Sequence, residues 1–132
     1  MKTTFKLVAF LLTITLLSCN ANLNLNDGVE GSGNVITEKR TINESFDKIS
    51  ASTGVTVIVE QGSPNDVEVE TDDNLMQYVI TKVENGTLIV KIEGNINTMS
   101  SIDVRVKMNS ITGLEASSGS RISSKNTFKG SS

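Results

Sequence analysis

The single cysteine, Cys19, follows a basic start at Lys2 and Lys6 and the apolar stretch Leu7–Leu17. A thiol in that place is a nucleophile presented at a membrane surface. Leu16-Leu17-Ser18-Cys19 fits the bacterial lipobox: an aliphatic residue, a tolerated second position, a small residue, then Cys. The thiol would form a thioether with a diacylglyceryl group, and a signal peptidase would then cut before it. Acylation of the new amino terminus would follow, and two or three chains anchor stably where one holds marginally. The apolar stretch falls short of the about 20 residues that span a bilayer, so residues 1–18 read as a lipoprotein signal peptide. Ordinary secretion with cleavage after Ala21 is the alternative, and it would leave a product without cysteine.

Two other groups of residues could do chemistry. Ser45-Phe46-Asp47-Lys48 has S-x-x-K spacing, which on a helix puts a lysine one turn from a serine nucleophile. Its surroundings read as turn and strand, and no S-D-N or K-T-G partner accompanies it. Glu68, Glu70, Asp72 and Asp73, followed by Asn74, form an acidic cluster. Hard oxygen ligands of this kind bind Ca²⁺, so these four are the candidate ion or ligand residues. Glu68 and Glu70 share one strand face and Asp72 can extend it, but EF-hand spacing and a Gly-Asp-rich Ca²⁺ repeat are absent, and a solvated face is the better reading of such a run. Asp72-Asp73 does not suit glycoside hydrolysis, because adjacent strand residues point to opposite faces. The Ser, Thr and Asn surplus could bind sugars, although it lacks aromatic platforms and is also what turns need.

Composition narrows the rest. The chain has 132 residues, 12 Lys+Arg against 15 Asp+Glu, no His, no Trp and one Cys. Without His there is no Ser-His-Asp or Cys-His pair and no imidazole metal ligand. One Cys allows neither an intrachain disulfide nor a multi-thiolate zinc site. The acidic balance argues against a nucleic-acid partner. No catalytic, cofactor-binding or metal residue is expected, and no cofactor beyond the covalent lipid on Cys19. Loss of residues 1–18 removes Lys2 and Lys6, leaving a more acidic exported part whose aromatics are Phe46, Tyr78 and Phe128. Its core must be built from Val, Ile, Leu and Met, and it is long enough for one domain.

These residues must be positioned by β structure. Residues 19–30 are Asn-rich and read as a tether, with an edge strand through Leu23 and Leu25 as the alternative. Residues 31–132 read as one β-rich domain. Strands are expected at Asn34–Glu38, at Val55–Val59 (covered on both faces), at Val67–Glu70 and at Ile102–Met108. Asn85-Gly86, flanked by alternating residues, predicts a type I′ hairpin. A short helix over about Leu75–Val79, capped from Asp72-Asp73-Asn74, is the only helix expected. Ala51-Ser52-Thr53-Gly54-Val55-Thr56-Val57 and Ala116-Ser117-Ser118-Gly119-Ser120-Arg121-Ile122 share an A-S-x-G-x-x-aliphatic pattern. They lie too far apart for one solenoid coil, leaving several coils or two rungs separated by an insert, against chance in a Ser/Gly-rich chain.

Several runs, taken in order, resemble a known family. They are Gly31-Ser32-Gly33-Asn34-Val35, Phe46–Gly62, Val67–Leu75, Asn85-Gly86-Thr87-Leu88 and Leu114–Gly119. They resemble Bacteroidetes-type lipoproteins carrying the head GIN domain, also called the putative auto-transporter adhesin head domain. The resemblance implies an all-β, solenoid-like (β-helix-like) stack of short strands with hairpins. It also implies an exported, cell-envelope or outer-membrane location and an adhesin-like, non-enzymatic role. Relatives run on through further Ser-Gly rungs, whereas this chain stops at Phe128-Lys129-Gly130-Ser131-Ser132. The domain is therefore expected to be C-terminally truncated, or to close its last edge against another chain. Expected partners are the membrane, through the lipid, and a surface protein or glycan. A periplasmic structural or partner-binding domain is the second reading, and a carboxylate-based enzyme the third.

Overall fold

Alternating apolar and polar residues build the chain into strands with one dry face each. The computed structural model describes residues 28–62, 66–97 and 101–125. Its elements are β1 (Val35–Arg40), β2 (Lys48–Ala51), β3 (Thr56–Gln61), β4 (Asp66–Asp72), a 3-10 turn (Met76–Tyr78), β5 (Val79–Glu84), β6 (Thr87–Ile92), β7 (Asp103–Met108), β8 (Gly113–Ala116) and β9 (Arg121–Ser124). They form two mixed sheets, ordered β1-β4-β7-β3-β9 and β5-β6-β2-β8, and neither is closed. Val57, Val59, Val67, Val69, Val104, Val106 and Met108 from the larger sheet share a core with Ile49, Ala51, Val79, Leu88 and Val90 from the smaller. Phe46 is the one aromatic residue of that core among the described residues, in keeping with the composition.

The internal repeat is real in space. β2 and β3 are joined by a corner that carries the chain from the small sheet to the large one, and β8 and β9 do the same. β8 lies parallel on β2, with Ile49 beside Leu114 and Ala51 beside Ala116. β9 lies parallel on β3, with Thr56 beside Arg121 and Val57 beside Ile122. Each pair keeps the 65-residue offset that also relates Asp47 to Thr112. The Ser117 amide donates to the Ala51 carbonyl at 3.0 Å, and the Arg121 amide to the Val55 carbonyl at 2.9 Å. Of the two arrangements the repeat allowed, the chain adopts stacked rungs separated by an insert.

Both corners turn through left-handed backbone, at Thr53 and Gly54 (φ 61 and 78) and at Ser118 and Gly119 (φ 52 and 78). Glycine meets that geometry without a Cβ clash, whereas β-branched Thr53 does not. Thr53 is held there because its Oγ1 accepts the Ile92 amide at 2.7 Å.

On the other side of β2 and β3, β6 lies parallel to β2 and β7 parallel to β3. The inward side chains form columns across the strands: Leu88, Ile49, Leu114 in one sheet and Val104, Val57, Ile122 in the other. The first rung in sequence is thus the middle layer in space. The Asn85-Gly86 hairpin forms as expected, with positive φ at both residues (51 and 77).

Two local expectations are corrected. The helix near Leu75–Val79 is only the 3-10 turn Met76–Tyr78, and Leu75, in the N-cap place, makes no side-chain cap bond. The acidic residues before it are bonded elsewhere, so nothing supports a longer helix. β3 is buried on one face only: Val57 and Val59 are inside, while Thr56 and Ile58 are half-buried on the outer face. No further layer covers that face among the described residues.

Candidate functional site

The acidic candidates all belong to β4 and the residue after it. Alternation sends Val67, Val69 and Thr71 inward, with Glu68 and Glu70 on the half-buried outer face. Glu68 stands beside Lys39 of β1 and Arg105 of β7. Glu70 Oε2 receives Arg105 Nη1 at 3.1 Å and the Thr37 hydroxyl at 3.4 Å. Neighbouring strands add Asp66 beside Lys107 and, further over, Glu60 beside Lys107. Opposite charges thus alternate across the strands, an arrangement worth a few tenths of a kcal/mol to about 1 per pair. They line a shallow groove of about 200 Å³ with Glu60, Asp66, Glu68, Arg105, Lys107 and Lys125 on its walls.

Asp72 and Asp73 do something different. The strand end curves under the segment before β1, and that segment straps across it. The Gly33 amide donates to Asp72 Oδ2 at 3.3 Å. Asp73 accepts from the Ser32 hydroxyl and, at 3.1 Å, from Asn34 Nδ2. Asn74 accepts the Ser32 amide at 2.9 Å and donates to the Glu30 carbonyl at 2.7 Å. Further back, the Val29 amide donates to the Asn95 carbonyl at 2.8 Å, and the Asn97 amide to the Val29 carbonyl at 2.9 Å.

The four acidic candidates therefore divide: Glu68 and Glu70 face cations on the open sheet, while Asp72 and Asp73 receive the strap. Among the described residues, no group of three or more acidic, His or Cys side chains is arranged to hold a metal ion.

Hydrogen bonds from Ser32 and Asn34 hold the Asp73 carboxyl below its ordinary titration range. A depressed folded-state pKa adds stability above the unfolded-state value, and that stability is lost as pH falls through the folded-state value. Acid unfolding monitored by circular dichroism should thus show Asp73→Asn as less pH-sensitive than the parent below about pH 4. Parallel acid curves for the two proteins would overturn this role for the strap.

Ser45 lies in the irregular segment before β2, with the buried Phe46 between it and Lys48. A surface hollow includes Ser45, Asp47, Gly86 and Ser110, and Lys48 is not among its lining residues. The stem of Lys48 instead lies over Gly113. No helical turn relates Ser45 to Lys48, because Ser45–Asp47 precede β2 as irregular chain, and among the described residues no hydrogen bond or ion pair joins Ser45 to Lys48. Among the described aromatics, Phe46 is buried, and the half-buried Tyr78 ring packs against Gly94. Cys19 and its lipobox Leu16, Leu17 and Ser18 lie outside the described residues, as does Phe128.

Two features were missed in the sequence. Arg40 reaches from β1 to the other sheet, donating to the Val79 and Met76 carbonyls at 3.0 and 3.1 Å. No motif marks such a contact. The β8/β9 rung bears Glu115 and Arg121 where the β2/β3 rung has Ser50 and Thr56. Aligning the repeat position by position would have exposed that change.

A family model described as "Putative auto-transporter adhesin, head GIN domain" matches residues 45–132. Solved structures share the fold. A "putative adhesin" from Parabacteroides distasonis superposes with a TM-score of 0.66 at 22% identity, over 74% of this chain and 42% of that one. One from Parabacteroides merdae gives 0.65 at 24%, over 75% and 42%. One from Bacteroides fragilis gives 0.64 at 18%, over 72% and 45%. At these identities the likeness is one of fold, and the chain spans less than half the length of these proteins. A search of curated proteins found no match.

Proposed function

The chain belongs to the head GIN domain family, and from that premise we propose that it is a lipid-anchored, non-enzymatic envelope protein presenting an adhesin-like binding surface. The observation that carries this reading is where the family match falls. Residues 45–132 contain both repeat rungs and the insert between them. Layers β6/β7, β2/β3 and β8/β9 stack like the coils of a short solenoid, each about one strand spacing, 4.8 Å, from the next. Such a column holds outward side chains on a fixed lattice, which suits recognition of an extended protein or glycan. The divided carboxylates and the ion-paired outer face favour recognition over bond cleavage. A two-carboxylate hydrolase needs its acids to face each other across a substrate.

Cys19 supplies the anchor in this proposal: its thiol takes the diacylglyceryl group, and the Asn-rich residues after it act as a tether at the outer membrane, up to Val29 and Glu30, which are bonded to the domain. Replacing Cys19 with Ala in the full chain should move the protein out of the membrane fraction and remove the lipid mass seen by mass spectrometry. A Cys19→Ala protein that stays in membranes, with no lipid difference from the parent, overturns the anchor. Protease added to intact cells tests the exposed face. Cleavage supports an adhesin-like surface module. Protection until lysis supports the second reading, a periplasmic partner-binding domain.

A further inference from the structure

A hollow opens where β2, β6 and β8 begin. The segment before β2 brings Ser45, Phe46 and Asp47 to it, the β5–β6 hairpin brings Gly86, and the segment after β7 brings Asn109 and Ser110. The space between them is about 400 Å³, inside the roughly 300–1,000 Å³ of small-molecule sites. Its frame is held by backbone. The Asp47 amide donates to the Gly86 carbonyl at 3.1 Å, and the Asp47 carbonyl accepts the Thr112 amide at 2.8 Å. The Asn109 carbonyl accepts Gln61 Nε2 at 3.1 Å. Phe46 is 6% exposed and pins the segment to the core. Side chains on a backbone held in this way present their polar ends in fixed places.

What these side chains offer defines the ligand. Among the described residues, the Ser45 and Ser110 hydroxyls, the Asn109 amide and the half-buried Asp47 carboxylate enter no hydrogen bond or ion pair. Gly86 keeps the carboxylate open: a Cβ there would lie 3.6 Å from Asp47 Oδ1, and a longer side chain would cover it. Asp47 carries the one charge of the lining, since Lys48 lies outside it. A lone negative charge repels an anionic ligand. An apolar ligand would cover these polar groups without bonding them, which is costly. Ca²⁺ draws its affinity from several charged ligands, and the lining has one carboxylate. A neutral polyol suits the set. Its adjacent hydroxyls donate to the carboxylate oxygens, while the amide and the serine hydroxyls both donate and accept.

We propose that this hollow binds a neutral sugar unit of a glycan, with Asp47 accepting from adjacent sugar hydroxyls and Ser45, Asn109 and Ser110 completing the contacts. This rests on the adhesin-like reading above and names its ligand class. Phe46 is buried, so hydrogen bonding rather than ring stacking holds the sugar.

The test is saturation-transfer NMR on the full chain in phosphocholine-detergent micelles. The probes are the methyl glycosides of glucose, galactose, mannose and N-acetylglucosamine. At least one should take saturation from the parent protein. Asp47→Asn keeps the shape of the side chain but removes an acceptor and the charge, and it should weaken that signal several-fold. Asn109→Ala should weaken it as well. Glu115→Gln, at an exposed carboxylate outside the hollow, should leave it unchanged. Urea midpoints matching the parent's check that each variant is folded. Transfer to none of the probes overturns the proposal, as does a signal that either Asp47→Asn or Asn109→Ala leaves intact or that Glu115→Gln weakens equally. A signal lost with EDTA overturns it by making a metal ion the true ligand. Transfer to Nα-acetyl-lysine amide alone overturns it in favour of a basic protein partner. None of these outcomes touches the wider adhesin-like reading, which protease added to intact cells tests separately.

Discussion

Ile49→Ala is expected to destabilise the domain by about 2–5 kcal/mol, the range for emptying a buried aliphatic site that its surroundings cannot fill. Ile49 sits in β2, an inner strand of its sheet, between Leu88 on β6 and Leu114 on β8. Three layers meet there, and all are held by strand hydrogen bonding, so collapse into the space is limited. The same change one strand out, Leu114→Ala, removes a side chain that is half in solvent. It should lower stability by less than about 1 kcal/mol, the range for surface changes and partial burial. Urea unfolding followed by circular dichroism would separate the two by their midpoints. Equal losses would mean that Leu114 is as buried as Ile49 in solution, and a small loss at Ile49 would contradict the layered core.

Arg40→Ala is expected to destabilise by about 2–3 kcal/mol, the scale of hydrogen bonds from a charged donor whose acceptors are left without it. The guanidinium is largely covered, with 20% of the side chain exposed, and it pairs with Glu38 at 2.8 Å. Its two terminal nitrogens reach the carbonyls of Met76 and Val79, on the turn and strand that open the second sheet. It therefore ties the outer edge of one sheet to the outer edge of the other. Arg40→Lys should recover only part of the loss, because an ammonium cannot span two carbonyls as a planar fork does. Lys39→Ala, at a side chain 71% exposed, should change stability by less than about 1 kcal/mol. If Arg40→Ala matched Lys39→Ala in the same urea series, the tie would carry no stability.

Much of the fold was legible because strands with one dry face alternate in sequence. The expected strands near Val35, Val57, Val67 and Val104 all form, and so does the Asn85-Gly86 hairpin. The expected helix shrank to a single turn because the residues that could cap it, Asp73 and Asn74, are bonded to the strap from Glu30 to Asn34. That is a contact over some forty residues, and local propensity holds no record of it. The acidic cluster divided for a related reason: adjacency in sequence says nothing of which carboxylate meets Arg105 and which meets a backbone amide.

The sequence by itself determined composition-level facts and local geometry. No His and one Cys bound the possible chemistry, aliphatic alternation set an all-β domain, and two A-S-x-G corners marked where the chain would turn. Only the tertiary structure decided the order of the layers. The rung that comes first in the chain lies between β6/β7 and β8/β9. Parallel neighbours must be joined by crossovers, so their order in a sheet is set by long-range pairing and shared burial rather than by succession. The same pairing set Glu115 and Arg121 over Ser50 and Thr56, a substitution between rungs that the linear order does not show.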